Sequence, residues 1–156
     1  MKIAVLSDTH KITKYMEMAI EYCRDCDLVI HAGDNFSDSK YIHKVTKVGV
    51  IGVKGNCDLE NVEDEILLEL EGYNIFVCHG HNYNVNNGLT DLENKAKHIG
   101  ADIVIFGHTH VPTNLTKDGI LFLNPGSVSL PREVSYRSFL ILNIEKDNID
   151  IEEKKL

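Results

Sequence analysis

Three short apolar runs, each halted by a polar cluster, most constrain what this chain can fold into. They are KIAVLSDTH from residue 2, DLVIHAGDN from residue 27 and VGVIGVKGNCD from residue 48. Their apolar character is continuous and does not alternate, which marks strands covered on both faces by other layers. Between them lie amphipathic segments, roughly Thr13 to Arg24 and Ser37 to Lys47. Met16, Ala19, Ile20 and Cys23 recur there at helical spacing, and the SDSK start of the second segment offers N-caps. Strands that alternate with helices predict α/β layering.

The second half is richer in strands. EILLELEG and YNIFVCHG meet at Glu71-Gly72, a hairpin signal, and a helix is expected from about Leu89 to Ile99 with Gly100 as its C-cap. The stretch DIVIFGHTHVP, residues 102 to 112, contains a strand over Ile103 to Phe106 and then two histidines that strand packing does not require. ILFLNPGS follows a turn at Lys117-Asp118-Gly119. SFLILNIE and IDIEEKK flank another turn at Lys146-Asp147-Asn148. No repeat or linker-like stretch interrupts the 156 residues, so a single domain spanning 1–156 is expected.

Charge and cysteine usage exclude several classes. Sixteen basic against 24 acidic residues give a formal net charge of −8, which argues against a general duplex-binding surface. No apolar window of membrane-spanning length occurs, and MKIAVLSD reaches Asp8 before a secretory core could form. A cytoplasmic protein without a membrane partner is the expectation. Cys23 and Cys26 form a C-x-x-C with no second pair to complete a zinc site, so they read as a core-facing cysteine and an incidental neighbour.

Five apolar runs end in clusters that carry chemistry. These are Asp8-Thr9-His10, Gly33-Asp34-Asn35, Gly55-Asn56-Cys57-Asp58, His79-Gly80-His81 and Gly107-His108-Thr109-His110. In open α/β sheets, ligands bind beyond the carboxyl ends of strands, so clusters distant in sequence can share one crevice. Imidazole, carboxylate and one amide are the ligands of borderline divalent metals. In D-x-H and H-x-H, an extended backbone would project both side chains to one side. Glycines before Asp34, Asn56 and His108 suit abrupt turns and close backbone approach. Seven such side chains exceed what one ion with an open position needs, whereas two ions sharing a carboxylate accommodate them.

In this order, Asp8-x-His10, Gly33-Asp34, Gly55-Asn56, His79 and Gly107-His108-x-His110 resemble the fingerprint of the calcineurin-like metallophosphoesterases, in particular the small bacterial and archaeal phosphodiesterases. The resemblance extends through NPGSVSLPR at 124 to 132. It implies a four-layer αββα sandwich, two packed mixed sheets flanked by helices, with a dinuclear site at strand C-terminal ends. It assigns Asp8, His10 and His110 to one ion, Asn56, His79 and His108 to the other, and Asp34 to both. The implied reaction is hydrolysis of a small phosphodiester by a two-metal-activated hydroxide without a covalent intermediate. Manganese is the expected metal, with nickel, iron, cobalt or zinc as alternatives.

One position departs from many relatives. A histidine that follows the Gly-Asn asparagine is a proposed proton donor there, and here it is Cys57. A thiol is a poor substitute, so diesters with good leaving groups are the expected substrates. Asn56, Cys57, His79 and His81 are therefore the candidate catalytic residues, His81 either facing substrate or supporting a ligand. His31 reads as a residue behind the ligands, Asp58 as a cap, His43 as a solvated helix position, and Arg132 as a phosphate contact or a salt bridge. Asn124-Pro125-Gly126-Ser127 reads as a turn that the resemblance places near the site. Two other functions compete: a non-catalytic metal-binding interaction module similar to the retromer scaffold subunit, and a zinc nuclease on another scaffold. The nuclease lacks a basic groove, and homo-oligomerisation is open.

Overall fold

The computed structural model describes residues 1–11 and 13–156. Two five-stranded mixed sheets carry the fold. The first contains β1 (Lys2–Leu6), β2 (Leu28–His31), β3 (Gly49–Gly52), β9 (Ser138–Glu145) and β10 (Asn148–Lys155) in the order β10-β9-β1-β2-β3. The second contains β4 (Glu65–Leu70), β5 (Tyr73–Cys78), β6 (Ile103–Ile105), β7 (Thr113–Lys117) and β8 (Ile120–Asn124) in the order β4-β5-β6-β8-β7. Each has three adjacent parallel strands: β1, β2 and β3 at one side of the first sheet, β5, β6 and β8 at the centre of the second.

The sheets pack face to face. Ile3, Val5, Ile30 and Leu142 of the first share one buried cluster with Ile75, Val77, Ile103 and Leu123 of the second. On the outer face of the first sheet, Ala4, Leu6 and Val29 pack under Met16, Ile20 and Cys23 of α1 (Thr13–Cys23) and Ile42 of α2 (Ser37–Thr46). On the outer face of the second, Phe76, Val104 and Phe122 pack under Leu92 and Ala96 of α3 (Thr90–Ile99). Alternate residues of each central strand thus enter different cores, which is why those strands are apolar throughout. The four layers are the expected αββα sandwich. Each fully buried large apolar side chain contributes roughly 1.5–3 kcal/mol to holding the layers together.

Several local expectations need correction. TNLTK at 113 to 117 is a strand that sequence reading omits, because an exposed edge strand has no apolar run to announce it. β3 is largely half-buried, so its continuous apolar run overstates its burial. Cys26 is buried beside Cys23, donating to Tyr22 O at 3.3 Å, and is part of the same core. The SDSK residues do not cap α2. Its N-cap is Phe36 without a side-chain bond, and Asp58 from another loop accepts from Asn35 N and Phe36 N at 2.8 Å each. No helix among the described residues is long and apolar enough to cross a membrane.

Candidate metal centre

The clusters follow the carboxyl ends of β1, β2, β3, β5 and β6, where the parallel strands of both sheets stop along one edge. The backbone there is not extended. Asp8, His10, Asp34, His108 and His110 have φ of 54°, 47°, 59°, 66° and 60°. In D-x-H and H-x-H it is therefore left-handed turns, not a β pleat, that place the side chains. Each such residue costs on the order of 1–3 kcal/mol and persists only where its surroundings over-determine it. Asp and His are among the residue types that tolerate this region best.

Those surroundings are polar and specific. Ser127 Oγ and Ser129 Oγ donate to the Asp8 carbonyl at 2.8 and 2.9 Å, so the loop after β8 does border the site. Ser7 Oγ donates to Asp8 Oδ2 at 2.6 Å, and His108 N donates to the same oxygen at 3.2 Å. Cys57 N donates to Asp34 Oδ1 at 2.9 Å. Asp58 also accepts from Gly55 N at 2.8 Å, tying the two Gly-containing turns together as well as capping α2. The glycines are steric necessities. A Cβ on Gly107 would strike Ser7 Oγ and come within 2.9 Å of Asp8 Oδ2. A Cβ on Gly55 would strike Asp34 Oδ1, and one on Gly33 would lie 2.7 Å from His79 Nδ1.

Asp8, His10, Asp34 and His110 each present a ligand atom within 4.8 Å of the others. His79 joins them, its Nε2 lying 3.3 Å from Asp34 Oδ1 and 4.0 Å from Asp8 Oδ1. His108 stacks edge-on against His79 with ring centroids 5.2 Å apart, and His81 lies 5.5 Å from His79 and 6.2 Å from His108. The histidines therefore sort into two groups around the carboxylates. His10 and His110, 5.3 Å apart, form one, and His79, His81 and His108 form the other. Asn56 is exposed, with its amide directed to Cys57 Sγ at 3.4 Å.

The chemistry of these donors fits divalent ions. His79 Nδ1 lies 2.7 Å from Ala32 O, and His110 Nδ1 lies 2.5 Å from Leu130 O. A carbonyl only accepts, so both Nδ1 atoms carry the proton and both Nε2 atoms turn toward carboxylates. A neutral imidazole would then aim a lone pair at an anion unless a cation lay between them. Asp8 Oδ1, His10 Nε2 and His79 Nε2 are buried without a hydrogen-bond partner, which is costly for groups this polar. Burial alone would lower the pKa of His79 and His110, yet the facing carboxylates raise both. Burial acts against ionisation of Asp8 and Asp34, but the neighbouring histidines hold both below the usual carboxylate range. Each partner in this site thus calls for positive charge at its centre.

Residues behind the cluster hold it in place. His31 is buried as expected, its Nε2 3.0 Å from Thr9 Oγ1. Thr9 Oγ1 donates to Asp38 Oδ2 at 2.6 Å, and Lys11 N donates to the same oxygen at 3.2 Å. The residues on either side of His10 are therefore both fastened to α2. Sequence reading misses Thr9 and Asp38 because a threonine between ligands and an aspartate in a helix's first turn are commonplace. It also misses Asn86, whose Nδ2 lies 3.0 Å from His108 Nε2, since NVNNG reads only as a polar loop.

A sequence model of the calcineurin-like phosphoesterase superfamily domain matches residues 1–147. The chain belongs to this superfamily. Among its members, the probable metallophosphoesterase YsnB of Bacillus subtilis is 34% identical over 149 residues, covering 94% of this chain and 86% of its own. The phosphodiesterase MJ0936 of Methanocaldococcus jannaschii is 32% identical over 145 residues, covering 81% and 83%. The crystal structure of Vps29 complexed with zinc from Entamoeba histolytica shares the fold at a TM-score of 0.80, with 21% identity over 99% of each chain. Superfamily membership agrees with the resemblance that the sequence displays.

Proposed function

We propose that this protein is a phosphodiesterase with a dinuclear metal centre, acting in the cytoplasm on a small phosphodiester as a single domain. The observation that carries the reading is the pair of carbonyl-anchored histidines, His79 and His110, whose Nε2 atoms both face carboxylates. Asp8, His10 and His110 would hold one ion. Asn56, His79 and His108 would hold the other, and Asp34, central to the cluster, would bridge them. Asn86 Nδ2 donates to His108 Nε2, so Nδ1 carries the proton in this arrangement, and the Asn86 amide must turn away for Nε2 to bind a metal. Manganese, nickel, iron, cobalt and zinc all suit this mixed nitrogen and oxygen set.

Such a pair of ions supplies an acidified water as nucleophile and neutralises charge on the phosphoryl oxygens. The chain's own residues do the rest. Asp8 and Asp34 are kept ionised by their histidine neighbours and stay available as ligands across neutral pH. His81, whose pKa burial and His79 lower, is a neutral imidazole at the site's rim, suited to accept or donate one hydrogen bond to substrate. Partial burial and the Asp34 carboxylate push the exposed Cys57 thiol up to about 11. It is a weak acid at neutral pH and a poor donor to an alkoxide. Substrates that leave without a proton are favoured by roughly 10²–10⁴ over those that need one.

Chelator-stripped protein restored with single metals should hydrolyse an activated aryl diester faster than an alkyl monoester. Asp34→Asn and His108→Ala should lose that activity. Full activity in either variant would sink the two-ion assignment. A wild type inert with every metal would favour the interaction-module reading; the carboxylates and histidines gathered at the strand ends support the enzyme.

A further inference from the structure

A cavity of about 360 Å³ lies beside the segment that carries His108 and His110, within the range of small-molecule sites. Half-buried Leu89 and Val111 give it an apolar patch backed by the buried Val85 and Phe106, and Asn86, Thr109, Thr113, Arg132 and Glu133 make the rest of the lining polar. Three of its lining residues are tied to the metal-centre histidines. Asn86 touches His108 Nε2 at 3.0 Å, Thr109 lies between the two histidines, and Arg132 N donates to His110 O at 3.4 Å.

The wall is preformed. Phe106 and Val85 are buried members of the core between the second sheet and α3, and Asn124 Nδ2 fixes Thr109 Oγ1 at 3.1 Å. A preformed apolar surface takes a rigid apolar group without ordering cost. Glu133 stands beside Arg132 in the same lining and offsets its charge, so the cavity is not built for a second free phosphate.

We propose that this cavity receives an aromatic or similarly ring-sized organic substituent of the phosphoester, while its phosphoryl group sits at the metal cluster. The inference rests on the phosphodiesterase reading above and adds the substrate class. Asn86 then has two contacts, one to His108 and one to the polar edge of the ring. The cavity discriminates by size and apolar surface, because a methyl substituent leaves its wall unfilled.

Organophosphonates test this without a leaving group. Manganese-loaded wild type, hydrolysing methyl 4-nitrophenyl phosphate, is inhibited with phenylphosphonate or methylphosphonate. Phenylphosphonate should inhibit about tenfold more tightly, as expected for burying a ring. Thr113→Trp, which adds an indole to the cavity lining, should abolish that difference while leaving methylphosphonate inhibition within about twofold of wild type. Val111→Trp fills the cavity from another side and carries the test if the first variant does not fold. Equal inhibition by both phosphonates in wild type, or a difference that survives both substitutions, overturns the cavity assignment while diester hydrolysis continues. Absence of hydrolysis with every metal overturns the phosphodiesterase reading, and the cavity assignment falls with it.

Discussion

His110 Nε2 lies 3.0 Å from Asp8 Oδ1, although the two residues follow strands of different sheets. Nothing in either local sequence brings them together. The contact exists because β1 and β6 end at the same edge of the sandwich, and because both residues sit in left-handed turns that aim their side chains inward. The candidate metal centre is thus a property of sheet packing, and disturbing it should register in both metal affinity and stability.

Ion removal should destabilise the fold. Without a cation, Asp8 and Asp34 face each other across a buried space whose histidines are only partial counterweights. Manganese at a hundredfold above its dissociation constant should add about 2.7 kcal/mol. Calorimetry should show a rise in Tm of several degrees, largely absent in Asp34→Asn.

Thr9→Val should weaken metal binding through His10 without touching a ligand. It removes the hydroxyl that joins His31 to Asp38, so the left-handed loop loses its anchor to α2. Removing support of this kind typically costs 10–100-fold in affinity. Manganese titration by calorimetry measures it. Thr9→Ser, which keeps the hydroxyl, should restore most of the binding.

Gly107→Ala should strain the junction of the sheets. Its φ is not left-handed, so the cost is steric: the new methyl would meet Ser7 and Asp8. Overpacking of this sort costs about 1–3 kcal/mol. Chemical denaturation should show the loss, and metal affinity should fall with it, since Asp8 must move.

Alkaline pH should erode stability through the buried thiols. Burial pushes Cys23 up to about 12 from an ordinary 9.0, and Cys78 shifts upward for the same reason. The folded chain holds these protons, while the unfolded chain loses them above pH 9. Stability is therefore fully present below pH 9 and declines from there toward 12, by at most about 1.4 kcal/mol per pH unit for each thiol. Denaturation midpoints across this range should fall, and Cys23→Ala should show a shallower slope.

Much of this was readable from residue order. The runs at 3 to 6, 28 to 30 and 103 to 105 declared buried strands, and α2 and α3 lie close to their amphipathic segments. Glu71-Gly72 adopts left-handed φ values of 51° and 85°, as a tight hairpin needs. The turn geometry at the site is not legible in the sequence, because alternating ligands in D-x-H imitate strand periodicity. Asp58 was legible as a cap, though not as one that serves a helix from a different loop.

Residue order by itself determined which ligand-type side chains stand at the strand ends of this protein and how its layers alternate. Both follow from local facts: apolar periodicity dictates burial, and side-chain type dictates what each strand end can bind. Only the tertiary structure decided how His79 and His110 are anchored to the Ala32 and Leu130 carbonyls, how Asp38 and Asp58 hold loops from other elements, and that Asn86 reaches His108. Those pairings join residues far apart in the chain. Their geometry depends on the packing of two sheets and on strained turns that no local propensity favours.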